Sequence, residues 1–258
     1  MESMLTIRDL TVSVNDVAGR KTLLNNVNLE VPPLSIVGLV GGSGSGKTTT
    51  GLAILRLLPL ALQIDRGSIF FQGENLLTIK EERMRALRGK DIAMIFQEPL
   101  EALNPVFSIG YQIGEVLKFH TALRENQRKE RIFELLNLVG IPEPKRVAQN
   151  YPHQLSGGMR QRAMIAQAIA ANPKLIIADE PTSNLDVTLQ ARIMELFRQL
   201  KDQLKLSILL ITHDLGMVSH LADRIIVMTE GQVVEQGETK AVLSNPQAVY
   251  TEKLLAFL

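Results

Sequence analysis

The sequence predicts an α/β fold, and three observations carry that prediction. Short apolar runs at Ile36–Val40, Leu175–Asp179, Ser207–Thr212 and Arg224–Thr229 have the length and composition of strands buried in a parallel sheet. Helical segments, Val187–Leu204 and Leu215–Leu221, separate the last three of these runs, as crossover connections do. Between residues 98 and 172 the character changes to helices and prolines. That stretch reads as a helical subdomain inserted into the α/β core of a single domain, 1–258.

The remaining elements follow in order. Leu5–Val14 alternates apolar and polar residues as a half-buried strand does, Asn15–Arg20 holds turn residues, and Thr22–Val31 is a returning strand. Gly67–Phe71 and Asp91–Phe96 add two strands, with Pro99 blocking continuation of the second. The N-terminal strands form an antiparallel β subdomain beside the parallel sheet. Inside the helical stretch, Asn126–Val139 is amphipathic and Gly140 stands at its C-cap. Pro142, Pro144 and Pro152 keep the chain irregular up to Leu155, and a helix then runs from near Gly157 to Ala170, ended by Asn172-Pro173. Near the C-terminus, Glu230-Gly231 is a hairpin turn into Gln232–Gln236, followed by short helices near Lys240–Asn245 and Gln247–Phe257.

Composition narrows the function. Apolar residues make up 45%, enough for a sizeable core, and the net charge of +1 offers nucleic acid no bulk attraction. The absence of cysteine excludes disulfides, thiolate metal sites and iron–sulfur clusters, and it suits a reducing compartment. Met1-Glu2-Ser3-Met4 does not open a signal peptide. No apolar run reaches the roughly 20 residues of a membrane span; the longest, Leu52–Leu62, is interrupted by Arg56 and Pro59. A soluble chain able to dock on a membrane protein is expected.

The chemistry centres on Val40–Thr50, V-G-G-S-G-S-G-K-T-T-T. Gly41, Gly46, Lys47 and Thr48 fit the phosphate-loop pattern Gly-x-x-x-x-Gly-Lys-Ser/Thr. The apolar strand Ile36–Val40 precedes it, and a helical stretch, Lys47–Leu58, follows and stops at Pro59. Glycines let successive N–H groups approach phosphate oxygens at a helix N-terminus. The residues expected to hold a nucleotide's phosphates are Gly41, Gly42, Ser43, Gly44, Ser45, Gly46, Lys47, Thr48 and Thr49. Lys47 would neutralise β- and γ-phosphates and the Thr48 hydroxyl would ligate Mg²⁺.

Four further features stand at element ends. Leu175–Asp179 is an apolar strand ending in Asp179-Glu180, where α/β sheets bind ligands. Asp179 is placed to hold Mg²⁺ through water, and Glu180 to act as general base toward an attacking water. Leu155-Ser156-Gly157-Gly158-Met159 opens a helix, so its N–H groups and the Ser156 hydroxyl are available to an anion. His213, after the strand Ser207–Thr212, is suited to bind a γ-phosphate or orient the water. Gln97, after Asp91–Phe96, is suited to reach Mg²⁺. Each also has an ordinary reading on its own: an acidic turn, a serine N-cap, a strand-end histidine, a surface glutamine.

Taken together and in order, these pieces resemble the ATP-binding-cassette ATPases over the whole chain. Gly41–Thr48 matches the phosphate loop, Gln97 the Q-loop, Leu155–Met159 the signature, Leu175–Glu180 Walker B, Ser183-Asn184-Leu185-Asp186 the D-loop and His213 the H-loop. The resemblance implies a phosphate-loop NTPase core of the RecA-like kind, with ATP and Mg²⁺ as cofactors. It implies a head-to-tail dimer with a second cassette subunit, identical or not. Two ATPs lie at the interface, each between one subunit's phosphate loop and the other's signature helix. It also implies two transmembrane permease subunits, an extracytoplasmic substrate-binding protein acting indirectly, and a peripheral location on the cytoplasmic face of the inner or plasma membrane.

Within that superfamily, three stretches look like the importer group for peptides and nickel. They are Met94–Pro99 with Leu103-Asn104-Pro105, Leu155–Arg162, and Asp186–Ala191. In that group the segment after the Q-loop receives the permease coupling helix. Met159, where the superfamily usually has Gln, is common in this group. Gly42, where peptide members usually have Glu, and the absence of a cysteine-bearing extension lean toward the shorter nickel-type members. Cassette proteins of translation or DNA repair usually carry two cassettes or a coiled-coil insert. A small-molecule kinase has no signature or D-loop, and an exporter shares the chemistry but not the Q-loop neighbourhood. The family usually stacks an aromatic residue on the adenine, yet this chain has none before Phe70. Val14, in the stretch Thr11–Asn15, matches the aromatic's position, and an aliphatic side chain there predicts weak discrimination between ATP and GTP.

Overall fold

The structure, a computed structural model, describes residues 3–16, 19–183 and 185–256. The chain opens with β1 (Leu5–Asp16), β2 (Gly19–Val31) and β3 (Ile36–Val40), then runs through α1 (Lys47–Ile54), β4 (Leu62–Phe71), β5 (Glu74–Asn75) and α2 (Glu81–Leu87). Next come β6 (Ile92–Ile95), α3 (Pro99–Ala102), α4 (Ile109–His120), α5 (Glu125–Leu138), α6 (Pro144–Val147), α7 (Gly157–Ala168), β7 (Leu175–Asp179) and α8 (Val187–Leu204). The last part is β8 (Ser207–Thr212), α9 (Leu215–Leu221), β9 (Arg224–Thr229), β10 (Gln232–Glu238), α10 (Thr239–Ser244) and α11 (Val249–Leu255). These fall into two compact units, one from residues 1–85 with 201–258 and one from 86–200.

The first unit holds two layers of strands. Its antiparallel sheet has the order β2-β1-β4-β5. β1 buries Leu5 and Ile7, then shifts register before Leu10 and Val12, which are also buried. Asp9 sits at the shift in a left-handed conformation (φ 51°), so a bulge resets the alternation and keeps the apolar set inward. β4 starts earlier than the expected Gly67 because it pairs with β1 back to Val14–Leu62. The other strands of this unit run β10-β9-β3-β8, with β3 parallel to both β9 and β8 and β10 antiparallel at the edge. All residues of β3 and β8 are buried, as their largely apolar composition requires.

α1 is shorter than its periodicity predicts. It ends at Ile54, and Arg56 takes a left-handed conformation (φ 53°). The Arg56 N–H bonds the Ala53 carbonyl at 3.1 Å and the Leu57 N–H the Leu52 carbonyl at 2.9 Å, a Schellman cap with arginine where glycine is usual. The Arg56 guanidinium donates to the Ile79 carbonyl at 2.9 Å and faces Glu81 at 3.4 Å.

The second unit combines the parallel pair β6–β7 with α3 to α7 and most of α8. α5 and α7 meet the expected spans within two residues at each end, and Gly140 follows α5 with φ 73°. Its core includes Leu117, Leu135, Leu136, Ile165 and Phe197, all fully buried. No helix among the described residues is long and apolar enough to cross a membrane.

Candidate nucleotide site

In the first unit, β3 delivers the chain to Gly41 and α1 takes it up at Lys47. The loop between them needs glycine where the backbone turns. Gly46, the N-cap of α1, has φ 100°, and a Cβ there would lie 2.5 Å from Leu24 Cδ2. A Cβ on Gly41 (φ 159°) would lie 2.1 Å from the Met228 carbonyl oxygen. The Ser45 carbonyl accepts from the Gly231 N–H at 3.1 Å, which pins the loop to the β9–β10 turn. In that turn Glu230 (φ 48°) and Gly231 (φ 75°) are both left-handed, the backbone of a type I′ hairpin.

Lys47 is buried, and its ammonium is enclosed by loop oxygens. It donates to the Gly41 carbonyl at 2.8 Å, the Gly42 carbonyl at 2.9 Å and the Ser45 hydroxyl at 3.4 Å. A buried charge needs such partners. Ser43, Gly44 and Thr48 are exposed and Thr49 is half-buried. The opening of the loop therefore presents backbone amides and a hydroxyl to solvent, with the cation behind them. Val40 pairs with Thr212 across β3 and β8, so Gly41 and the exposed His213 leave neighbouring parallel strands at the same level. Val14 lies in β1 between Lys21 of β2 and Leu62 of β4 and is half-buried.

In the second unit, β6 and β7 pair in parallel through Ile95 and Ala178, and Gln97 and Glu180 each lie two residues beyond that pair. Gln97 is exposed, Asp179 is 3% exposed, and Glu180 is half-buried with φ 45°. A glutamate in the left-handed region is strained, a condition that clusters at functional sites. Its carbonyl accepts from the Ser183 N–H and hydroxyl, both at 3.2 Å, and these bonds brace the turn. Asp186 accepts from the Leu189 N–H at 3.0 Å and so caps α8. Asn184, between them, lies outside the described residues.

The signature residues open α7. The Ser156 hydroxyl accepts from the Met159 N–H at 3.3 Å, so the serine does cap the helix, and its proton stays available to donate. Ser156 and Gly157 are exposed. Gly158 is buried, and a Cβ there would meet Leu189 Cδ1 at 3.3 Å, which gives this glycine a packing reason that the sequence did not reveal. A cleft of about 320 Å³ in this unit joins Gln97, Gly157, Gln161, Thr182 and Ser183 along its wall. Gln161 Nε2 is buried without an acceptor; nothing in the sequence marked it. Among the described residues no cluster of three or more His, Asp or Glu could hold a metal unaided.

A glycine loop wrapped around a buried lysine, ahead of a helix and behind a buried parallel strand, defines a phosphate-loop nucleotide-binding protein. Comparison with known proteins narrows this: the chain belongs to the ABC transporter family, whose model matches residues 24–183. It is 46% identical over 254 residues to the oligopeptide transport ATP-binding protein OppD of Bacillus subtilis, covering 98% of this chain and 71% of OppD. It is 49% identical over 256 residues to the peptidoglycan transport ATP-binding protein YejF of Agrobacterium fabrum, covering 99% of this chain and 47% of YejF, so it spans about half of that relative's length. The solved dimer of the ATP-binding cassette MJ0796, in a post-hydrolysis state bound to ADP and Pi, matches with a TM-score of 0.81 and 28% identity over 92% of this chain and 99% of that one. The chain is an ATPase of the cassette type.

Proposed function

We propose that the chain is the ATP-hydrolysing subunit of an importer that takes up peptides through two transmembrane permease subunits. It acts as a peripheral protein on the cytoplasmic face of the membrane, and an extracytoplasmic binding protein supplies the cargo. The observation that carries this reading is the likeness to OppD over nearly the whole chain. OppD supports peptides, and neither relative named above lends support to nickel, toward which Gly42 and the missing cysteines leaned.

In this reading Lys47, held in place by the loop carbonyls, directs its charge at the β- and γ-phosphates, whose own charge makes a strong hydrogen bond. The amides of the loop from Gly41 to Gly46, with Thr48 and Thr49, hold the remaining oxygens. The oxygens of Thr48, Gln97 and Asp179 suit Mg²⁺, a hard cation that takes few protein ligands and completes its shell with phosphate and water. Mg²⁺ supplies charge neutralisation at the transferring phosphoryl group. Glu180 takes a proton from the attacking water as the bond to the leaving ADP breaks, and His213 orients that water or the γ-phosphate. Ser156, Gly157 and Gly158, at the head of α7 in the helical insertion 98–172, serve the second subunit's nucleotide. The exposed apolar residues Leu100, Val106, Phe107 and Tyr111, the last two stacked 4.6 Å apart, follow the Q-loop and offer a face to the permease.

The test is affinity capture of the tagged chain from detergent-solubilised membranes of its own host. Two multispanning subunits should come with it. In vesicles, the assembled complex should hydrolyse ATP faster when the binding protein carries peptide and show no such response to Ni²⁺. Capture of the chain without permeases rejects the reading, and a response to Ni²⁺ alone assigns the other cargo.

A further inference from the structure

The phosphate loop is gripped from a place far along the chain. The peptide joining Gly41 to Gly42 is held at both ends. Its carbonyl accepts from Lys47 Nζ at 2.8 Å, and its N–H donates to the Tyr250 hydroxyl at 2.9 Å. The Gly42 carbonyl holds the same ammonium at 2.9 Å. A glycine on each side leaves this peptide little steric resistance to flipping, so hydrogen bonds set its orientation. A flip would turn an N–H toward the ammonium and withdraw one of its oxygens. Bonding the N–H also polarises the carbonyl of the same peptide and strengthens its hold on the cation.

Tyr250 is itself held in place. It is half-buried on α11, and the segment leading into that helix is tied to β10. The Glu235 carboxylate accepts from the Gln247 N–H at 2.8 Å and the Ala248 N–H at 3.0 Å. Burial pushes the Glu235 carboxyl up, but the Thr251 hydroxyl beside it and these two amides outweigh that and hold it below its ordinary value. The clamp is therefore charged at neutral pH. The contact at Gly42 is also selective: a Cβ there would meet the Tyr250 oxygen, at 3.1 Å, and no other atom within 4 Å.

We propose that Tyr250 is a positioning residue of the nucleotide site, whose hydroxyl fixes the Gly41–Gly42 peptide and, through it, sets the Lys47 ammonium for the phosphates. The inference rests on the loop binding nucleotide. Tyr250→Phe removes the hydroxyl and keeps the ring. It should weaken ATP binding about two- to tenfold, the scale of one neutral hydrogen bond, and raise KM alike while changing kcat less than about twofold. Gly42→Ala, made in both backgrounds, supplies the readout that a merely structural tyrosine would not move. The added methyl displaces the hydroxyl in the native chain and meets no oxygen in Tyr250→Phe, so its cost in affinity should largely vanish there. Binding is read on the full chain by displacement of a fluorescent ATP analogue. A wild-type chain that binds no nucleotide defeats the reading of the loop itself. A wild-type chain that binds, with Tyr250→Phe equally tight or with Gly42→Ala equally costly in both backgrounds, removes Tyr250 from the site.

Discussion

In the proposed mechanism Glu180 and Lys47 do different work, and single substitutions separate them. Glu180 is half-buried, strained at φ 45° and braced by Ser183 through its backbone carbonyl, so Glu180→Gln keeps the side-chain shape and that brace and removes the charge and basicity. ATP binding should survive and turnover should fall by roughly 100-fold or more, the scale of general-base effects, with the water left unactivated. Turnover near wild type in the assembled transporter would remove Glu180 from the base role. Lys47→Ala strips the Gly41 and Gly42 carbonyls and the Ser45 hydroxyl of their shared donor, so it should lose phosphate binding itself. Val14 raises a separate question, at the base end of the nucleotide. Base–aromatic stacking in nucleic-acid complexes is worth about 1–3 kcal/mol, or about five- to 150-fold in affinity. Without it the phosphates dominate, so ATP and GTP should bind with similar affinity and Val14→Tyr should tighten ATP. Equilibrium titration of both chains with both nucleotides decides this: strong ATP preference in the native chain, with no gain in the variant, assigns the adenine to another residue.

At the scale of elements, what was legible in the sequence was what local chemistry controls. β3, β7 and β8 were readable because strands buried on both faces carry mostly apolar runs, and the glycine loop was readable because few other arrangements call for that spacing. The Glu230-Gly231 turn declared itself for the same local reason. Misreadings arose where a tertiary contact overrode the local pattern. α1 continued by periodicity to Leu58, but Arg56 took a glycine's place in the cap, where its guanidinium reaches the Ile79 carbonyl and Glu81. β1 alternated correctly in composition, yet the alternation survives only because a bulge at Asp9 resets it. The grip of Tyr250 on Gly42 spans 208 residues, and no spacing rule connects a tyrosine in a C-terminal helix to a glycine loop. Gly158 shows a mixed case: the sequence marked it for anion binding, and the structure adds close packing on Leu189 as an independent reason for a glycine there.

At the scale of the whole molecule, two chains are proposed to share two nucleotides. Ser156 and Gly157 are exposed at the head of α7, and the solved MJ0796 cassette is a dimer. Gly157 is the position to perturb, because a Cβ there would meet only Leu185 Cδ2, at 3.9 Å, so a larger side chain costs the fold little. Gly157→Glu sets a carboxylate where the phosphates are proposed to arrive. If the signature acts on the partner's nucleotide, a Gly157→Glu chain paired with a Lys47→Ala chain has one site with both halves intact and one with both halves broken. If the signature acts on its own chain's nucleotide, the same pair has no intact site. Each chain carries Glu180→Gln as well, so that a closed dimer accumulates instead of turning over. Light scattering with ATP should show dimer for Glu180→Gln alone, none for either defective chain alone, and recovery in the mixture, bounded by the share of mixed pairs. A mixture that stays monomeric while the Glu180→Gln reference dimerises contradicts the shared arrangement and returns the signature to its own chain.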